Sequence, residues 1–341
     1  MSDYATHPHY IPIIKWQAYE QRALEKVDAV LLPRVKPCIE VRTSKQHLNL
    51  TKNLKTVWPH EVYVDYANPS GDLTVPRQAE LMAFLQTAIA AQLPVSPVIG
   101  PTFLATLGQP FLQATASLPS IAIRVRLGSL AITPQILQLV TGSFTTLQAA
   151  GRKAELFVDL GVSPKTWTAA EVTVFGQSMR ALCGIGFATV HLISGAFPAS
   201  LASVKTGSGK FDRKDWGFWK DVTASVPDVK IGYGDYGTLS PEWTEKALEL
   251  RSNSLAIRYT RDDNWLILRA PGKTAPDSVA LSQILVNTYA DFKGKGYSFG
   301  DDLLEQRADP NVPQKLKKCG HYHITEGWSH HVAYVLKEQY L

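Results

Sequence analysis

Eight short β-forming runs recur along this chain, each followed by a stretch with helical spacing, and this alternation constrains the fold more than any other feature. The runs cover 11–15, 37–42, 61–66, 94–99, 120–126, 154–160, 187–193 and 229–233, with starts roughly 24 to 42 residues apart. A βα unit needs about 30 residues. Between the runs, 18–27 is charged on one face and apolar on the other, 75–91 carries Pro76 in its first turn, and Thr133-Pro134 opens a third helix with an N-cap and N1 pair. Ser163-Pro164 repeats that start. Eight strand–helix units predict a TIM-like (β/α)8 barrel over residues 1–250, an α/β fold, with an open doubly wound sheet as the alternative.

After the barrel, residues 254–270 read as a β-hairpin around Asp262-Asp263-Asn264, and 278–292 as a helix. A polar, Gly- and Pro-punctuated tail follows from 294 to 328. It shows no pattern for a core of its own, so residues 251–341 are expected to pack on the barrel, one domain overall.

Of the 341 residues, 45% are hydrophobic and 19% charged, which excludes a disordered chain. The net charge of +5 suits an anionic small molecule or a weak nucleic-acid contact and falls short of a dedicated basic binder. Cys38, Cys183 and Cys319 are too scattered for a disulfide framework, which points to a reducing, cytoplasmic setting. The first residues lack a signal-peptide pattern, and no apolar run reaches the roughly 18 residues that span a bilayer, so neither secretion nor membrane insertion is expected.

Strand alternation turns Lys15, Glu40, Arg42, Asp65, Arg124, Arg126, Asp159 and His191 to the barrel interior, because the opposite faces are apolar. In 120–127, Ile121, Ile123 and Val125 must face the helices, which leaves both arginines inside. These positions are expected at the C-terminal halves of their strands, where barrel enzymes carry their sites. Enclosed charges need compensation. Internal salt bridges alone would supply it; so would an anionic-ligand or catalytic site, with Arg124 and Arg126 on phosphate or carboxylate and an acid or His191 moving a proton. Three inward carboxylates could also hold a divalent cation such as Mg²⁺.

Other signals are weaker. Gly207-Ser208-Gly209-Lys210 lacks the phosphate-loop pattern, since Val204 and Phe211 occupy the positions that need Gly and Ser or Thr, and it reads as a flexible loop. Cys319, His321, His323, His330 and His331 hold zinc-binding atoms at spacings that match no structural knuckle. Serine-hydrolase and zincin motifs are absent. Tyr297, Phe299, Tyr322 and Trp328 could stack a base, although such residues more often pin a tail.

YIPIIKWQAYEQRALEKV followed by VKPCIEVR resembles the opening of the phage-associated beta protein family. Further resemblances follow in order: VYVDY and LFVDLG, IRVRL, AIRYTRDDNWLILRA, YSFGDDLL and GWSHHV. Ala270 and the Ser329 of Ser-His-His depart from the family's pattern, so the tail contacts are expected to differ from it. The resemblance implies a barrel-like fold and adds Arg258, Tyr259, Trp265, Arg269, Asp301, Trp328, His330 and His331 to the inward set. It also implies an anti-phage or toxin-immunity setting.

Two functions are therefore carried forward. In one, a charged pocket at the barrel mouth binds, and as a hydrolase of phosphodiesterase type cleaves, a phosphate-bearing ligand such as a nucleotide or nucleic-acid end. Lys15, Arg42, Arg124 and Arg126 would hold the anion, joined by Arg258, Tyr259, Arg269, Asp301 and Trp328. Glu40, Asp65 and Asp159 would act as base or metal ligand, and His191, His330 or His331 as proton donor. In the other, the protein is a non-catalytic immunity or regulatory subunit that engages a toxin or defence-system partner.

Overall fold

The computed structural model describes residues 8–242, 254–317 and 323–340, and in it each of the eight runs forms a strand. These are β1 (Ile11–Ile14), β2 (Cys38–Glu40), β3 (Val62–Asp65), β4 (Val95–Ile99), β5 (Ile121–Arg126), β6 (Ala154–Val162), β7 (Val190–Gly195) and, after an intervening β8 (Gly207–Asp212), β9 (Gly232–Asp235). They pair in parallel as a closed barrel in the order β1-β2-β3-β4-β5-β6-β7-β9. Closure comes from Ile11 opposite Gly234 and Pro12 opposite Asp235, which decides against an open doubly wound sheet.

The helices are α1 (Ala18–Glu25), α2 (Ser44–Val57), α3 (Val75–Ala90), α4 (Phe103–Ala114), α5 (Pro134–Ala149), α6 (Ala169–Cys183) and α7 (Lys214–Ser225). Their starts follow capping chemistry. Thr133 Oγ1 accepts from Ile136 N at 3.3 Å, with Pro134 in the first turn of α5. Ser163-Pro164 opens no helix: Ser163 N donates to Gly195 O, and α6 starts six residues later behind a Thr168–Glu171 capping box. The box satisfies two backbone donors, Thr168 N and Glu171 N.

The chain divides into two compact units. The first holds the barrel: residues up to Trp16, Pro33–Gly195 and Lys214–Asp235. Inside it, Ile13, Cys38, Tyr63, Ala122, Phe157 and His191 are all buried, as a filled barrel requires.

The second unit comprises Gln17–Leu32, with α1, Ala196–Arg213, and the chain from Tyr236 onward. The expected hairpin is present as β10 (Ala256–Thr260) and β11 (Asn264–Arg269), with Ile257 opposite Leu268 and Tyr259 opposite Leu266. Its sheet has a third member: β8 pairs antiparallel with β11, Lys210 opposite Leu266. The Gly-Ser-Gly-Lys segment is thus an edge strand and not a flexible loop. At Gly209 a Cβ would come within 2.5 Å of Val204, so the missing side chain lets that neighbour pack.

The remaining helices of this unit are α8 (Ala275–Thr288), α9 (Phe299–Ala308) and α10 (Ile324–Tyr334). Leu255, Ile257, Tyr259, Leu266 and Leu268 of the hairpin pack with Leu281, Leu285 and Leu304 of the helices. Burying each such side chain stabilises by about 1.5–3 kcal/mol. This core is built by the hairpin and α8, and the polar tail from 294 joins it through Leu304.

Candidate ligand-binding site at the barrel mouth

Because successive strand residues point to opposite faces, β1, β2, β3, β5 and β6 bring Lys15, Glu40, Asp65, Arg124 and Asp159 into one layer of the barrel. Arg124 is its hub, with a side chain 0% exposed. Nε and Nη2 donate to Asp159 Oδ2 at 2.9 and 2.6 Å, Nη1 donates to Asp65 Oδ2 at 2.8 Å, and Nη2 lies 3.0 Å from Glu40 Oε1. Lys15 and Arg42 both donate to Glu40 Oε2. Arg126, one strand pleat nearer the mouth, donates through Nη2 to Asp65 Oδ2 at 2.7 Å.

The remaining carboxylate oxygens are also occupied. Asp65 Oδ1 accepts from Ala67 N and Asp159 Oδ1 from Gly161 N, each at 2.8 Å. Burial alone would raise the Glu40 carboxyl, but Lys15, Arg42, Arg124 and Arg126 hold it well below its ordinary range. Burial lowers Lys15, against the pull of Glu40. With all members ionised, four cations face three carboxylates, a surplus of one positive charge.

That surplus reaches the outside at Arg126. Its side chain is 16% exposed, against 7% for Arg42 and at most 3% for Glu40, Asp65, Arg124 and Asp159. Arg126 lines an open cleft of about 290 Å³ formed by the loops after β3 and β4 and the start of α5. Gly71 (φ +94°) lies against its guanidinium stem, where a Cβ would be 3.3 Å from Arg126 Cδ. Phe103, Ile136 and Leu139 form an apolar wall, and Asp72 stands at the rim, held by Ser70 Oγ at 2.9 Å and Asn68 Nδ2 at 3.2 Å.

His191 is not in this layer. β7 begins at Val190, later than the sequence suggests, so His191 sits near the N-terminal end of its strand, opposite Phe157 and Gly232. Its Nε2 lies 3.0 Å from the carbonyl of His9, which precedes β1, and burial pushes its pKa down to about 4. It is therefore a neutral ring at the barrel floor, away from the mouth. Nearby, Tyr63 donates to Glu155 and Lys36 lies 3.7 Å from the same carboxylate. Sequence alternation could have marked Glu155, two residues before Phe157 on the inward face; the cleft loops offer no periodic signal.

The other expected site residues belong to the second unit. His330 is fully buried and both ring nitrogens are engaged, Nδ1 with Asp301 Oδ2 and Nε2 with Thr260 O, each at 2.9 Å. Tyr259 stacks on it at 3.8 Å and donates to Asp301 Oδ1 at 2.9 Å. His331 Nδ1 meets Thr260 Oγ1 at 2.9 Å. Arg269 donates to Leu201 O and Val204 O, 2.7 Å each, and Trp265 is buried against Phe197. Trp328 is 1% exposed with its ring on Gly237, and Arg258 Cζ lies 5.5 Å over Phe197. These partners make His330 and Asp301 parts of a structural network, with no ring nitrogen of His330 left to move a ligand's proton.

Among the described residues no group of three or more His, Cys, Asp and Glu side chains is arranged to hold a metal ion. The three mouth carboxylates do not fit Mg²⁺, since their oxygens already face arginine, lysine and backbone donors. Cys319, His321 and Tyr322 lie outside the described residues. Tyr297 donates to Glu338 and Phe299 lies under Arg22, so both pin the chain. No described helix is long and apolar enough to cross a membrane.

A family model described as Beta protein matches residues 10–337. No curated protein sequence matches the chain. Among solved structures, the HMG-CoA lyase from Brucella melitensis is 11% identical with a TM-score of 0.37, over 67% of this chain and 71% of that one. The Y628A carboxyl transferase domain of Rhizobium etli pyruvate carboxylase with pyruvate is 10% identical, TM-score 0.39, over 96% of this chain and 48% of that one. The arginine decarboxylase SpeA from Campylobacter jejuni is 9% identical, TM-score 0.41, over 97% and 56%.

Proposed function

The chain belongs to the Beta protein family, and we propose that its barrel mouth binds a phosphate-bearing ligand, a nucleotide or a nucleic-acid end, in the cleft beside Arg126. One observation carries this reading. Arg126 spends a single nitrogen on Asp65 and presents the rest of its planar fork to an open cleft, and guanidinium forks suit phosphate oxygens. Phe103, Ile136 and Leu139 would take the base or sugar, and Asp72 would accept from a hydroxyl or an exocyclic amine. Lys15, Glu40, Arg42, Asp65, Arg124 and Asp159 then act as the rigid mount that fixes the Arg126 fork and supplies the surplus charge.

Binding is better supported than hydrolysis. A general base needs a carboxylate free to take a proton, and each of the three inward carboxylates is held by cations and backbone donors. Thermal shift with adenosine monophosphate and a 5′-phosphorylated oligonucleotide tests the reading. A ligand at about 100 times its Kd adds about 2.7 kcal/mol to wild-type stability. Arg126→Ala should fold and lose that gain; an undiminished gain in the variant, or none in the wild type, sinks the proposal.

The same saturation of the carboxylates favours a second reading, a non-catalytic immunity subunit that engages a toxin or another phage-defence protein. Under it, protection in a phage challenge survives Arg126→Ala and is lost on changing exposed helix residues such as Leu48 or Val174, which are 79% and 65% exposed.

A further inference from the structure

Other arginines of the second unit place at least one terminal nitrogen on an acceptor, although Arg307 Nε is left unmet among the described residues. Arg307 donates to Glu326 Oε1 at 2.6 Å and to Ser282 Oγ at 3.3 Å, Arg213 reaches Gln339 Oε1 and Arg261 O, and Arg269 takes two carbonyls and the Ser254 hydroxyl. Arg258 on β10 differs. Its Nε and Nη1 are sealed from solvent, and neither has an acceptor among the described residues. Burial pushes its pKa down to about 10, against the pull of Tyr19.

Two further orphaned donors are close by. Thr238 Oγ1 and Trp328 Nε1 are buried with no hydrogen-bond partner among the described residues, in side chains 0% and 1% exposed. Gly327 brings two of the segments side by side: a Cβ there would lie 3.0 Å from Arg258 O, 3.4 Å from Arg258 Cβ and 3.6 Å from Thr238 Oγ1. Trp328 follows directly, and the benzo edge of its indole packs on Gly237, the residue before Thr238, where a Cβ would be 2.4 Å from Cη2. Only a glycine fits at 237, where φ is +57° and the indole fills the side-chain space.

A guanidinium, a hydroxyl and an indole N–H are all donors, and leaving buried donors unmet is costly. The missing counterpart is rich in acceptors and negatively charged. We propose that Arg258, Thr238 and Trp328 form an anion site in the second unit that takes the oxygens of a phosphoryl group. Donors from three separate chain segments suit a tetrahedral group with several oxygens. The site shares no residue with the Arg126 cleft and stands or falls independently of it.

Calorimetric titration of the full chain with inorganic phosphate tests the proposal, with Arg258→Met, Thr238→Val and Arg126→Ala alongside the wild type. Arg258→Met should lose one phosphate equivalent that Arg126→Ala keeps. Thr238→Val should weaken the same equivalent roughly ten- to a hundredfold, as the loss of one hydrogen bond to a charged group implies. In phosphate-free buffer Arg258→Met should melt little lower than the wild type, because it removes two sealed donors that have no acceptor among the described residues and gives up only the contact with the Phe197 ring. Phosphate binding unchanged in Arg258→Met overturns the site; if that variant does not fold, unchanged binding in Thr238→Val does so. Loss of binding in Arg126→Ala alone likewise overturns it, while loss of an Arg258-dependent equivalent alone speaks against the mouth cleft only.

Discussion

Arg124 and Arg126 are two residues apart on one strand face, yet their surroundings give them different work. Arg124 is enclosed and bridges Asp65, Asp159 and Glu40. Arg124→Leu removes the shared cation from three buried carboxylates, and breaking a buried pair in this way costs about 3–5 kcal/mol. Urea unfolding should show a loss of that size, whereas Arg126→Ala, at the partly open end, should lose less than half as much. Equal losses would show that Arg126 is as deeply structural as Arg124. At the barrel floor, a Cβ on Gly232 would overlap the His191 ring. Gly232→Ala should therefore destabilise by about 1–3 kcal/mol, and His191→Ala should relieve part of that cost. A double-mutant cycle checks it; strict additivity would mean that the two residues do not compete for the same space.

Elements carry these side chains into place, and α2 does so through its first turn. Thr43 Oγ1 accepts from Gln46 N at 3.2 Å, while the Gln46 side chain accepts from Arg42 N at 2.7 Å and donates to Lys15 O at 2.9 Å. One capping residue thus ties α2 to the ends of β1 and β2, where two of the mouth cations begin. Thr43→Ala should cost about 1 kcal/mol as an ordinary cap loss; Gln46→Ala, which also frees the Lys15 carbonyl and the Arg42 amide, should cost more when both are compared by thermal unfolding. The barrel strands could be read from sequence because parallel strands covered on both faces are nearly continuous apolar runs, as Ile121–Arg126 shows apart from its two arginines. β8 could not, since Gly-Ser-Gly-Lys has no β-branched residue and becomes a strand only by pairing with β11. Alternation likewise placed Lys15, Glu40, Asp65, Arg124, Arg126 and Asp159 together. It misplaced His191 because the start of β7 fell three residues later than its apolar run. Gly71 and Asp72 stayed hidden for a different reason: they lie on a loop, where no period links sequence to direction, and Phe103 opens α4 directly after another.

For the whole molecule, the same burial that fixes these groups sets its response to acid. His191 in the first unit and His323 in the second both have pKa values lowered to about 4, chiefly by burial. His191 faces His9, Glu155 and Lys36, and His323 faces Glu326, Arg307 and Arg258. Unfolded, each would titrate near 6.5. Since the folded values lie below the unfolded one, the unfolded chain binds more protons between about pH 6.5 and 4, and stability falls as the pH drops through that window. By the free energy of a pKa unit, each histidine contributes a loss of about 3 kcal/mol across the full window. Glu40 acts lower. Its folded value is depressed, so its contribution is complete above about pH 4.5 and disappears as the pH falls through the folded value. Acid destabilisation should therefore come in two stages, a histidine stage and then a carboxylate stage. Urea unfolding from pH 8 to 3.5 should show little change above pH 7 and a steepening decline below 6.5, with His191→Gln and His323→Gln each reducing that slope by the equivalent of one proton. A decline that begins only below pH 4.5 would mean that both histidines are protonated in the folded chain, and that the barrel floor and the α10 start are wetter than their burial implies.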